Sequence, residues 1–284
     1  MKYTIIPKPI RGLLKPLYFA WHRLLYSIYY GIPFFNTPVD PKRFVRFFDW
    51  IGNIESAVII GKGASIFESN PLPLIQGCDF KCLLNSVDVT YLEPYIGKKF
   101  DAQITTHVSK VNSIIPVLSK ENIQKIGLRL LICNNNSEYS NGETVRNYWN
   151  FFNNRVEKIS CLPSPEEFEF NPEIYRMGDK LTIASSVLMM LYNVKTVNKI
   201  VFVGVDAFHF GYSYRPGVDE KDRHFYPINE GGYNNPRISH GIPFLKFLFE
   251  SLRLINEKRL VEVYFPEVLR KYIDFPNESY IHFY

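Results

Sequence analysis

A short buried strand that runs directly into a glycine turn constrains the fold of this chain more than any other feature. Residues 56–60 read Ser-Ala-Val-Ile-Ile, and residues 61–65 read Gly-Lys-Gly-Ala-Ser. A continuous apolar, β-branched run of this length is typical of a parallel strand buried on both faces. The two glycines permit a tight turn and a close approach of the backbone to a ligand. The pattern predicts the first βα unit of an α/β nucleotide-type domain.

Apolar runs and helical patterns alternate along the rest of the chain. We expect further strands at residues 79–84, 101–105, 128–133, 199–203 and 261–265, and helices at residues 182–192 and 243–256. This alternation predicts a mainly parallel, Rossmann-like sheet with helices on both faces. Two stretches depart from it. We expect residues 134–180 to be an irregular or small helical insertion, and the Gly/Pro-rich residues 211–239 to be a flexible, lid-like insertion.

Composition indicates one large domain with an N-terminal extension. The chain has 284 residues, 46% of them apolar, which is sufficient for a substantial core. We assign residues 53–284 to the Rossmann-like domain and residues 1–52 to a basic, aromatic extension. The formal net charge of +5 is too small to indicate a nucleic-acid partner. The cysteines lack zinc-ligand spacing and follow no secretory signal, so we expect reduced thiols in a cytoplasmic protein. They are Cys78, Cys82, Cys133 and Cys161.

The extension leaves two interpretations open. Residues 10–35 are apolar and aromatic, but basic residues and Pro16 interrupt them, so no uncharged run of membrane-spanning length is present. Basic residues next to Trp and Tyr suit a helix that lies in a membrane interface, here as a peripheral contact on the inner membrane face. A helix packed on the domain, or one side of a homo-oligomer contact, accounts for the same pattern.

Polar residues follow three of the predicted strands at the edge where parallel strands end. Ligands of open α/β sheets bind beyond the carboxyl ends of the strands, so we expect the turn 61–65, Asn85 and the segment after residue 203 to converge. Ser65 could cap the helix after the glycine turn, and the N-terminus of that helix could bind a phosphate. An ordinary tight βα turn is the alternative. Asp206 could contact a sugar or base, or hold its loop through backbone amides.

A histidine and a dense aromatic segment are the candidates for chemistry. His240 precedes the predicted helix 243–256, and an imidazole with a pKa near neutrality can remove a proton from an acceptor hydroxyl. A surface or capping role is the alternative. Tyrosines within residues 208–214 could stabilise a departing nucleotide phosphate, or could form a packed aromatic lip. No Asp-x-Asp, His-x-x-x-His or zinc-ligand pattern is present, so we expect chemistry without a metal or other cofactor.

The order of these segments resembles the small bacterial sialyltransferases of lipooligosaccharide synthesis, from about residue 56 to about residue 272. Five motifs of that family have counterparts here in the family's order. They are the glycine turn 61–65, Asn85 with Gly97-Lys98-Lys99, residues 180–185 (Lys-Leu-Thr-Ile-Ala-Ser), residues 203–214, and Ser239-His240 followed by a helix and the strand that ends before Pro266.

The resemblance implies an inverting, metal-independent transferase. It would move a sugar from a CMP-activated donor, such as CMP-sialic acid, to a cell-surface glycan or glycolipid. The resemblance implies that His240 is the general base, and that Tyr212 and Tyr214 assist departure of the phosphate. It assigns nucleotide and donor binding to the remaining matched residues: Gly61, Lys62, Gly63, Ser65, Asn85, Lys180, Thr182, Ser185, Gly204 and Asp206.

Two residues depart from the family pattern. Lys62 stands where the family has an asparagine that contacts the nucleotide, and Phe208 stands where it has the first tyrosine of the leaving-group site. These departures keep two alternatives open. One is a pyrophosphokinase-like or other nucleotide enzyme on a related fold, and the other is a degenerate, non-catalytic transferase domain.

Overall fold

A single parallel sheet organises the part of the chain that the structure describes. The computed structural model describes residues 45–85, 87–105, 120–133, 156–161, 183–209 and 241–284, together with Leu17, Ala20, Trp21 and Leu24. Its strands are β1 (Ser56–Ile60), β2 (Phe80–Leu84), β3 (Ala102–Thr105), β4 (Leu130–Cys133), β5 (Lys158–Cys161), β6 (Lys199–Val203), β7 (Glu262–Phe265) and β8 (Ile281–Phe283). Their order is β5-β4-β3-β2-β1-β6-β7-β8, and every neighbouring pair is parallel.

Helices cover both faces of this sheet. They are α1 (Phe47–Trp50), α2 (Leu72–Gln76), α3 (Val89–Ile96), α4 (Lys120–Ile126), α5 (Ile183–Tyr192) and α6 (Ile242–Asn256). Two short 3₁₀ helices lie at Ala64–Phe67 and Glu267–Lys271. The predicted α/β, Rossmann-like fold is therefore confirmed. The lid-like insertion expected at residues 211–239 lies outside the described residues.

The core divides into two layers because successive strand residues point to opposite faces. Ile59 and Phe202 belong to the layer that α1, α5 and α6 cover, whereas Val58 and Val201 belong to the layer that α2, α3 and α4 cover. All five residues of β1 are buried, as expected for a central strand that has helices on both sides. The continuous apolar runs seen in the sequence follow from this double burial.

The edges of the sheet show where local sequence patterns were insufficient. β5 lies within residues 134–180, so the expectation of an irregular or small helical insertion is wrong for residues 158–161. β8 is a second strand that the pattern did not reveal, and its three residues are all only half-buried. Both are short strands at the edges of the described sheet, where each pairs with one described neighbour. A short strand with one neighbour needs no long apolar run, so its sequence carries little signal.

Two further expectations concern the N-terminal boundary and the cysteines. Residues 45–51, at the end of the proposed extension, pack on the domain through the buried ring of Phe47, which makes an edge contact with Phe80.

Cys78 and Cys82 are buried and free, and burial raises the pKa of the Cys78 thiol to about 11. The side chains of Cys133 and Cys161 lie outside the described part of the chain.

Candidate functional site

The loops after β1 and β6 meet at the centre of the sheet's carboxyl edge. β1 lies between β2 and β6. From β1 to β5 each new strand is added on one side of β1, whereas β6 to β8 are added on its other side, so the strand order reverses between β1 and β6. Ile60 is paired with Val203 in the register of these strands, so Gly61 and Gly204 follow at the same level. In doubly wound sheets, ligands bind in the crevice at this reversal point. The geometry makes this junction the candidate site.

Three glycines allow the two loops to contact each other through their backbones. The N–H of Gly61 donates to the carbonyl of Val203 over 2.8 Å, and the N–H of Gly63 donates to the carbonyl of Gly204 over 2.7 Å. A Cβ at Gly61 would overlap the Gly204 carbonyl oxygen, and a Cβ at Gly63 would overlap the Asp206 carboxylate. Gly204 has φ +60°, and its Cβ would lie 2.7 Å from Ile66. Packing therefore accounts for these glycines before any ligand is considered.

A buried carboxylate joins the same two loops. Asp206 is only 4% exposed; its Oδ2 accepts a hydrogen bond from the Ser65 N–H at 3.0 Å, and its Oδ1 accepts one from the Ser65 hydroxyl. Burial raises the pKa of the Asp206 carboxyl to about 6, because the charged form loses its hydration, and the two hydrogen bonds from Ser65 oppose that rise. Of the two roles considered for Asp206, the loop-holding one has direct geometric support.

The segment after the glycine turn differs from the expected helix. Residues Ala64–Phe67 form a four-residue 3₁₀ helix whose N-cap residue is Gly63, which has no side chain to cap it. Ser65 is fully buried within this segment and bonds to Asp206, so the expectation that Ser65 caps a helix is wrong. The N–H groups of Gly61, Gly63 and Ser65 already have protein acceptors. A nucleotide contact to this turn would thus depend on other groups of the loop.

The chain leaves the junction through strained backbone. Ala207 and Phe208 have φ values of +48° and +63°, a left-handed conformation that is rare for residues with a Cβ and costs about 1–3 kcal/mol each. Gly241 precedes α6 and packs so closely on the Ala207 carbonyl that a Cβ there would overlap it. The start of α6 is thereby held against the loop after β6. Strain of this kind occurs preferentially at functional sites.

A second turn at this edge, after β2, is held by a residue that sequence reasoning missed. Asn85 has φ +54° and follows Leu83, the register partner of Ile60, by two residues. The buried amide of Gln103 on β3 donates a hydrogen bond to the Asn85 carbonyl, and the Gln103 Oε1 has no hydrogen-bond partner among the described residues. The sequence does contain a sign of this role, because Gln103 is a polar residue between the apolar Ala102 and Ile104 of a predicted strand.

Of the remaining predicted site residues, two belong to the described part of the chain and five do not. Ser185 lies in the first turn of α5 and is fully buried. Because α5 ends shortly before the amino end of β6, its first turn lies toward the carboxyl edge. Lys62 is half-buried beside the glycine turn. The other predicted residues lie outside the described part of the chain: Lys180, Thr182, Tyr212, Tyr214 and His240.

An open cavity of about 290 Å³ adjoins the loop after β6. His209 and Tyr272 line it with ring centroids 6.2 Å apart, and Lys246 and Asp274 supply charged groups at its wall. Apolar side chains of α6, which are Ile242, Leu245 and Phe249, form another part of the wall. No cluster of three His, Cys, Asp or Glu side chains that could hold a metal ion occurs among the residues that the structure describes.

The strand order and its reversal point define a doubly wound α/β fold. No family model and no curated protein matches the sequence. Among solved structures, the sialyltransferase CstII from Campylobacter jejuni, in complex with the substrate analogue CMP-3FNeuAc, is similar with a TM-score of 0.52 and 14% identity, over 78% of this chain and 86% of that chain. The chain thus has the fold of a sialyltransferase.

Two further structures extend this comparison. The sialyltransferase CST-II in complex with a trisaccharide acceptor and CMP has a TM-score of 0.46 at 14% identity, covering 74% of this chain and 80% of its own. The alpha-2,3-sialyltransferase from Campylobacter jejuni in apo form has a TM-score of 0.45 at 15% identity, with 75% of each chain covered.

Proposed function

We propose that this protein is a glycosyltransferase of the sialyltransferase type, which transfers a sugar from a CMP-activated donor to a glycan or glycolipid acceptor. The observation that carries the proposal is the agreement of two independent features. The chain has the fold of CstII, and its family-like motifs at Gly61–Ser65, Asn85 and Gly204–Asp206 follow three adjacent strands at the reversal point of that fold. Ligands of doubly wound sheets bind at this edge, in the crevice beside the reversal point.

The reaction would be a single inverting displacement. The acceptor hydroxyl attacks the anomeric carbon of the donor sugar, His240 takes the proton of that hydroxyl, and the bond from the anomeric carbon to the phosphate oxygen breaks. The electron pair of that bond leaves with CMP, and Tyr212 and Tyr214 donate hydrogen bonds to the phosphate. The hydrogen-bonded loops after β1 and β2 would hold the nucleotide, and the cavity beside His209 would receive the acceptor.

The first test is binding. A thermal-shift panel of CMP, CDP, UDP, GDP and ATP measures which nucleotide binds the native state, because such a ligand raises the apparent stability. We expect stabilisation by CMP and CDP above the other three. Stabilisation by ATP alone would support a different nucleotide enzyme on this fold, and no stabilisation by any nucleotide would support a non-catalytic domain.

The second test is the role of the histidine. We expect His240→Ala to reduce CMP release from CMP-sialic acid, measured with and without a glycan acceptor, by about 10²–10⁴-fold, the usual contribution of a general base. His282→Asn is the control, since His282 lies on the edge strand β8 and stacks on Tyr264. Full activity of His240→Ala would disprove the assigned role while leaving the CMP-binding result intact.

A further inference from the structure

Four described residues near the start of the N-terminal extension form an exposed apolar stripe. Leu17, Ala20, Trp21 and Leu24 are helical, and their spacing of three, one and three residues puts them on one helix face. Their large side chains face solvent: Leu17 is 66% exposed, Trp21 58% and Leu24 40%. We call these four residues the apolar stripe.

This stripe differs from the other exposed apolar residues of the described chain. Those are Tyr95 and Leu260, from separate parts of the sequence, and Ile242 and Tyr272, which both line the cavity described above. Singly exposed apolar side chains are normal on a soluble domain, whereas several in one continuous row mark an interaction surface. A helix face of this kind is suited to burial against another surface.

The charge of the chain indicates what covers the stripe. Residues 1–39 contain five basic residues and no Asp or Glu, and the first acidic residue is Asp40. The whole chain has 33 basic and 28 acidic residues, so residues 40–284 carry 28 of each and have no net charge. A net charge of +5 therefore resides in residues 1–39, the part of the extension that carries the stripe. The basic residues of this part are Lys2, Lys8, Arg11, Lys15 and Arg23.

We propose that the extension holds the protein on an anionic lipid surface, with Leu17, Trp21 and Leu24 inserted at the boundary between headgroups and acyl chains. Apolar and tryptophan side chains on one helix face, within a cationic segment, have the chemistry that binds such a surface. Within the described residues no helix is long and apolar enough to cross a membrane. A second copy of the chain is a poorer occupant, because it would bring a second segment of charge +5 against the first.

The test is sedimentation of the full-length protein with lipid vesicles. We expect binding to vesicles that contain phosphatidylglycerol, at least about tenfold weaker binding to vesicles of phosphatidylcholine alone, and loss of binding as salt rises. The tryptophan emission should shift to shorter wavelength on the anionic vesicles, and Trp21→Phe should remove that shift while retaining most of the binding.

Variants separate the stripe from the rest of the surface. Leu17→Ala/Trp21→Ala/Leu24→Ala keeps helix propensity and should weaken vesicle binding by about tenfold or more, because burial of each large side chain contributes strongly. Leu260→Ala, which alters a side chain that is 61% exposed outside the extension, should bind as the wild type does. CMP-induced stabilisation should be the same in all variants, so this result is independent of the proposed catalytic function.

Three results would overturn the proposal. The first is equal binding to anionic and neutral vesicles, and the second is full binding by the triple alanine variant. The third is a concentration-dependent dimer that the triple variant abolishes in the absence of any vesicle binding, which would assign the stripe to self-association instead.

Discussion

Two turns at the carboxyl edge of the sheet are built in different ways. The turn after β1 is locked to the loop after β6 by backbone hydrogen bonds, close glycine contacts and the Asp206–Ser65 pair. The turn after β2, at Asn85, is held by β3: the Asn85 N–H donates to the Ile104 carbonyl over 2.7 Å, and the Gln103 side chain donates to the Asn85 carbonyl. The first turn is therefore held by a loop from a distant part of the chain, whereas the second is held by the neighbouring strand β3.

Because of this difference, we expect the turn after β1 to contribute mainly to stability and the turn at Asn85 to contribute mainly to ligand binding. A glycine turn after the first strand suggests a phosphate site, but here much of its chemistry stabilises the junction between two distant loops. Substitutions at this junction should act mainly on folding. Substitutions around Asn85 should change stability little and should act mainly on the proposed nucleotide site.

The largest effect is expected for Gly63→Ala. The added Cβ would overlap the Asp206 carboxylate, so the junction must open, and the free energy of unfolding should fall by about 3 kcal/mol or more. Gly77→Ala is the matched control, because its Cβ would meet nothing closer than 3.6 Å and should change stability by less than about 0.5 kcal/mol. Chemical denaturation measures both, and similar stabilities for the two variants would contradict the packing argument.

Asp206→Ala should have the next largest effect. It leaves the N–H and hydroxyl of Ser65 buried without acceptors, which should cost about 2 kcal/mol. Asp206→Asn should cost less, because its amide can accept from the N–H and donate to the Ser65 oxygen. In a double-mutant cycle, Asp206→Ala with Ser65→Ala should cost less than the sum of the two single variants. Strict additivity would show that the pair does not stabilise the junction.

The pH dependence of stability should report the buried carboxyl of Asp206. Its pKa of about 6 is above its ordinary value near 4, so the folded state binds this proton more tightly than the unfolded state. Its contribution to the free energy of unfolding should therefore be largest below about pH 4, fall as the pH rises to about 6, and stay constant above that. The difference in the free energy of unfolding between the wild type and Asp206→Asn isolates this contribution. If that difference did not change from pH 4 to pH 7, the prediction would be refuted.

The smallest effect on stability is expected for Gln103→Leu. The change removes one hydrogen bond to Asn85 and also one buried oxygen without a described partner, so the free energy of unfolding should change by less than about 1 kcal/mol. The thermal shift produced by CMP should nevertheless decrease, because the turn at Asn85 loses the hydrogen bond that the Gln103 side chain donates to it. A large loss of stability with an unchanged CMP shift would contradict this expectation, since it would show that the turn at Asn85 contributes to folding and not to nucleotide binding.

Prediction from sequence succeeded where the signal is local. β1 and β6 were predicted with their observed bounds, and α6 was predicted within one residue at its start. Their apolar runs and amphipathic spacing are visible within a short window, because burial on two faces or on one stripe selects for those patterns. β5 and β8 were missed because short edge strands require no comparable pattern.

The candidate site was predictable only in part. The sequence identified Gly61, Asn85 and Asp206 as residues that follow strands, and parallel pairing puts all of them at one edge. It could not identify Gln103 as the support of Asn85, since that contact depends on the neighbouring strand. It also expected Ser65 to cap a helix, and the structure instead pairs Ser65 with Asp206.

The sequence by itself determined the class of fold, because the alternation of buried strands and amphipathic helices is recorded in local side-chain order. It also determined the charge of the extension, which needs no folding to exist. Only the tertiary structure decided what the glycine turn does. Ser65 and Asp206 are 141 residues apart in the chain, and no short-range pattern encodes a contact that forms only when β6 pairs beside β1.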